Sequence, residues 1–122
     1  MTRAWLAVAS IGGFLSVAAG AVAAHIAAGD EAADLFRTGA LYGMVHAVAL
    51  IGLTGIAEAR GRPSLCLVIA GWGFTAGIVL FSLSLYGMAL TRMQWLGWIT
   101  PFGGVSLLVG WAGLGMYAFR HQ

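Results

Sequence analysis

The chain contains no lysine, a single cysteine and two prolines, and its charge is confined to six arginines and four acidic residues. At 8% charged residues it falls far below the roughly 25% of a soluble domain, which excludes that class. The same scarcity excludes the basic patch that a nucleic-acid partner would need. One cysteine, Cys66, permits no intrachain disulfide and matches no metal-ligand spacing, so it reads as a membrane-buried thiol. What is abundant is apolar: 61% of residues are hydrophobic, and the mean hydropathy is +0.92. That composition belongs to an integral membrane protein.

The charged residues gather in short islands and leave uncharged stretches at residues 4–29, 38–57, 63–91 and 93–119. Each accommodates about 20 helical residues, enough to cross roughly 30 Å of hydrocarbon. A helix satisfies its backbone within its own segment, and no stretch shows the two-residue alternation of a membrane barrel strand. The expected fold is therefore all-α, a four-transmembrane-helix up-and-down bundle in one domain, 1–122, with spans near 5–28, 39–57, 65–90 and 100–119. Arg3, the apolar run after it and "AVA" at 21–23 also resemble a secretory signal; the expectation is that this segment is retained as a helix.

Arg3, Arg60, Arg62 and Arg120 fall on one side of such an arrangement. Arg37 and Arg92 fall on the other with Asp30, Glu31 and Asp34. The positive-inside rule then predicts both termini in the cytoplasm. The outer "GDEAADLFRTG" (29–39) is expected to be a solvated loop, in which Asp30 or Gly29 caps a small interfacial helix and Asp34 pairs with Arg37. Trp95 and Trp98 are placed for an outer aromatic belt, Trp5 and Tyr117 for an inner one. In "ITPFGG", Thr100 is expected to cap the fourth helix, with Pro101 in its first turn.

Nineteen glycines would weaken helices in water, but in a bilayer small residues let backbones approach. Gly12, Ser16, Gly20 and Ala24 recur every four residues. Gly39, Gly43 and Ala47 do likewise, as do Gly73 with Gly77 and Ser106 with Gly110. These stripes predict intrachain helix packing, with some association beyond the monomer expected because four short helices bury little surface.

Few polar residues enter the spans. His25, His46, Ser82, Ser84, Tyr86 and Thr100 are all assigned to the outer half, with His46 about 10 Å below the outer boundary at 1.5 Å per residue. A buried ionisable group is a functional candidate by default. The leading reading makes His46 interhelical glue, satisfied by a Ser or Tyr hydroxyl. The alternatives are a b-type haem held by His25 and His46, or a quinone-associated redox role for the same pair, or a small channel or carrier opening at the polar cluster. No HExxH motif, Cys/His cluster or paired carboxylates are present, so no metal site is expected. The serines lack an acid partner in the membrane, because the one acid away from the outer connection is Glu58. No catalytic residues are expected and the protein is read as a non-enzyme.

"GAVAAH", "ALYGMVHAVAL", "LFSLSLYGMAL" and "GWITPFGGVSLLVGW" together resemble a family of small bacterial and organellar membrane proteins, the YgdD/YwdK type, catalogued as domain of unknown function 423. Val22, Ala23 and Leu83 stand where that family's pattern has phenylalanine and two glycines. The resemblance implies a four-helix inner-membrane protein and marks His25, His46, Ser82, Ser84, Tyr86, Thr100 and Pro101 as motif positions. It implies no reaction. The expected role is that of a multi-pass inner-membrane protein in contact with lipid, acting with itself or as an accessory subunit of a larger membrane complex.

Overall fold

The structure, a computed structural model, describes residues 1–25 and 30–120. It consists of four long helices, with no strand among the described residues: α1 (Thr2–Ala24), α2 (Glu31–Ala59), α3 (Leu65–Thr91) and α4 (Thr100–Arg120). A 3₁₀ turn, Gln94–Trp98, leads into α4, and within α3 the stretch Ile78–Ser82 is π-helical. Each helix is long and apolar enough to cross a membrane.

The second helix is longer than the sequence reading, which began it at residue 39. It has 29 residues, about 44 Å at 1.5 Å per residue, so it outreaches the hydrocarbon. The acidic segment expected as a loop forms its first turns. Asp30 caps them, its Oδ1 accepting the Ala32 N–H at 2.8 Å, and Glu31 and Asp34 stand at the positive end of the helix dipole. Arg37 pairs with Asp34 at 3.0 Å. Ala33, Phe36 and Ala40 meanwhile carry the buried face through the charged stretch. The expected end of the first span at residue 28 and the alternative cap Gly29 lie outside the described residues.

Antiparallel pairing follows from facing residues: Gly12 lies against Ala47, Gly43 against Ser16 and Ser82, and Gly73 against Gly110. The helices run up and down as two hairpins, α1/α2 and α3/α4, joined where α2 meets α3; α1 and α4 barely touch. The inner pair α2 and α3 is accordingly more buried than the outer pair.

Packing on α1 departs from the four-residue stripe. Its buried residues are Trp5, Ala9, Gly12, Ser16, Ala19 and Ala23, at alternating steps of four and three. A strict four-residue stripe rotates by about 40° per step, whereas alternating steps stay on a neighbour that coils left-handedly. Ala24 is therefore exposed, and nothing comes within 4 Å of a side chain added at Gly20. Trp5 also differs from its expected place. It is fully buried, 6.2 Å from the Trp72 ring in an edge-on contact, and fills the space left by Gly71. Trp95 and Trp98 are exposed, and Tyr117 lies under the Arg60 guanidinium, 5.5 Å from its ring centre.

Candidate functional site

Two apolar clusters make up the core. One includes Trp5, Leu50, Leu53, Leu67 and Phe74; the other includes Ala23, Phe36, Ala40, Tyr86 and Ala89. A layer of hydroxyls lies between them. Ser16 Oγ donates back to the Gly12 carbonyl at 2.7 Å, and Ser82 Oγ crosses from α3 to donate to the Gly39 carbonyl at 2.9 Å. The missing side chain of Gly43 makes room for both hydroxyls. The Tyr86 ring fills the space beside Gly39, and its buried hydroxyl faces Ser16 and Ser82 without a hydrogen bond of ordinary geometry. Ser82 closes the π-helical turn, a distortion frequently found at functional sites, and delivers its hydroxyl to α2.

His46 lies outside that layer, near the middle of α2 and about 22 Å from its first residue. Neither a serine nor a tyrosine hydroxyl bonds it. Trp111 Nε1 donates to His46 Nε2 at 2.9 Å, and His46 Nδ1 is 2.6 Å from the Tyr42 carbonyl. An indole N–H only donates and a carbonyl only accepts, so Nε2 carries the lone pair and Nδ1 the proton. Both ring nitrogens are used. Phe74 packs against both rings, 5.7 Å from His46 and 5.0 Å from Trp111, while the Tyr42 ring lies parallel to His46 at 6.2 Å.

The six residues grouped on sequence thus separate. Ser82 and Tyr86 share the hydroxyl layer. Ser84 and Thr100 form a second pair, 2.6 Å apart, binding α3 to the start of α4; Thr100 uses its hydroxyl there, and Ser84 also donates to the Phe81 carbonyl. His46 belongs with Trp111. His25 is exposed just beyond α1. Because Gly12 faces Ala47, His46 stands level with residue 13 of α1, roughly 18 Å along the axis from His25. Two histidines so separated do not fit as axial ligands of one haem.

Trp111 and Phe74 escaped the sequence reading. The signal was present: Trp111 sits mid-run in "LLVGWAG", away from either belt, where an indole N–H needs an acceptor within the protein. His46 supplies it.

Other hydroxyls in the spans bond to backbone carbonyls. Thr54 and Thr75 donate to carbonyls four residues back, and Ser106 crosses to the Gly73 carbonyl at 2.8 Å. None is oriented by an acid or base. Among the described residues, no three of His, Cys, Asp and Glu converge as metal ligands. Within the spans, a groove of about 140 Å³ lies between α1 and α3, apolar except for Ser82 and Tyr86.

Four membrane-crossing helices whose polar side chains are mostly bonded within the chain define a small multi-pass membrane protein with a self-contained core. Residues 19–104 match the family model "Protein of unknown function (DUF423)". The UPF0382 inner membrane protein YgdD of Escherichia coli K12 is 39% identical over 91% of this chain and 86% of its own length. The UPF0382 membrane protein YwdK of Bacillus subtilis is 36% identical over 89% of this chain and 90% of its own. A UPF0382 membrane protein of Haemophilus influenzae is 33% identical over 100% of this chain and 98% of its own. The chain belongs to the DUF423 family and is an inner-membrane protein. No solved structure matches it.

Proposed function

We propose that the protein acts without catalysis, through association in the membrane, as an oligomer or as an accessory subunit of a larger membrane complex. The observation that carries this reading is the disposition of its polar groups. His46, Ser82, Ser84 and Ser106 each make a hydrogen bond to another helix of the same chain, so these polar groups serve the internal packing of the bundle. The outer helices α1 and α4, packed on one side only, present Phe14, Val17, Phe102 and Leu108 outward. The arginine distribution supports a cytoplasmic location for both termini.

Crosslinking in native membranes, followed by native mass spectrometry of the mildly extracted protein, tests the reading. A defined homo-oligomer or a stoichiometric complex is expected. A protein recovered as a monomer by both methods would overturn it.

A further inference from the structure

A pocket of about 530 Å³ opens at the end of the molecule where α2 begins and α3 ends. This volume lies within the range of small-molecule sites, about 300–1,000 Å³. Asp30 and Glu31 line it from the first turn of α2, and Arg92 and Gln94 from the end of α3 and the 3₁₀ turn; Leu35 and Met88 add apolar surface.

The 3₁₀ turn sets the depth of this pocket. With three residues per turn, residues three apart share a face. Gln94 and Gly97 line the pocket, while Trp95 and Trp98 on the adjoining face are 59% and 79% exposed. Exposed tryptophans at the end of a membrane span sit at the headgroup level of the bilayer, so the pocket opens among headgroups.

Its charges are arranged for a ligand that carries both signs. Two carboxylates and a guanidinium line one cavity, yet Arg92 makes no ion pair with Asp30 or Glu31; the ion pair nearby joins Arg37 to Asp34. Asp30 uses one carboxylate oxygen for the helix cap, which leaves the other. Arg92 also stands at φ 60°, a left-handed position after the helix that favours glycine.

We propose that this pocket binds the headgroup of a zwitterionic phospholipid bearing a primary ammonium. Arg92 and the Gln94 amide take the phosphate, and Asp30 and Glu31 take the ammonium. Leu35 and Met88 lie beneath the glycerol.

The test uses the full chain in non-ionic detergent, presented with equal amounts of phosphatidylethanolamine, phosphatidylcholine and phosphatidylglycerol of identical chains. Bound lipid is counted by native mass spectrometry. Phosphatidylethanolamine should be retained about tenfold over the other two, because choline has no N–H to donate and glycerol no cation. Arg92→Gly removes the guanidinium while suiting the backbone, so helix content stays and the retention is lost. Glu31→Gln should reduce the preference over phosphatidylcholine. Equal retention of the three lipids, a preference for phosphatidylglycerol, or a preference unchanged in both variants would overturn the assignment. Equally tight binding of chain-free glycerophosphoethanolamine would assign the pocket to a soluble zwitterion and overturn the lipid.

Discussion

Trp111 of α4 donates its indole N–H to His46 Nε2 of α2 at 2.9 Å, linking two helices that otherwise have little direct contact. The bond explains how an imidazole is tolerated near mid-span: one nitrogen is met by the indole, the other by the Tyr42 carbonyl. Trp111 is 44% exposed, so its ring also screens His46, itself 5% exposed, from the lipid.

Trp111→Phe should preserve most of the ring contact with Phe74 and remove only the donor, at a cost of about 1–2 kcal/mol in detergent unfolding. His46→Ala should cost more, since it also empties a packed site. The double-mutant cycle should return a coupling of roughly 0.6–1.7 kcal/mol. A coupling of zero would show that the bond contributes nothing.

Gly43→Ala and Gly20→Ala form a matched pair. A methyl at Gly43 collides with the Ser16 hydroxyl and crowds that of Ser82, so a loss of about 1–3 kcal/mol is expected. At Gly20 nothing lies within 4 Å, and the change should stay within about 0.5 kcal/mol of wild type. Thermal unfolding of both variants in one detergent decides it; equal losses would contradict the packing.

Asp30→Ala removes the cap of α2 and should cost about 1 kcal/mol. The loss should be local. Amide exchange should quicken at residues 31–34 and remain slow in the buried stretch around Leu50 and Leu53.

A fluorescent protein fused to the C-terminus should fluoresce and a periplasmic phosphatase fused there should be inactive if both termini lie in the cytoplasm, as the arginine distribution predicts. The reverse pattern would invert the topology and move the Asp30–Arg92 pocket to the cytoplasmic side.

The four helices were legible because a span of hydrocarbon imposes its length on composition, and a residue such as Leu53 or Phe74 needs no partner to declare itself apolar. Cap chemistry was legible for the same local reason at Asp30. The extent of α2 was not: residues 31–38 look like a solvated connection until Ala33 and Phe36 are seen to continue the buried face. The stripe Gly12–Ser16–Gly20 went astray beyond Ser16, since a helix face is defined by the curvature of the neighbour it follows.

The candidate site shows the same division. Sequence alone determined that the protein is an all-helical membrane protein, that it belongs among small multi-pass proteins, and that His46 needs a partner inside the bilayer. Those conclusions depend on transfer energies, which each residue carries with it. Only the tertiary structure decided that the partner is Trp111, sixty-five positions away, that Ser82 reaches Gly39, and that His25 stands apart from His46. Hydrogen bonds are directional and short, so their pairing depends on the rotation and depth of each helix, and these are set by how Gly12, Gly43, Gly73 and Gly110 let the helices meet.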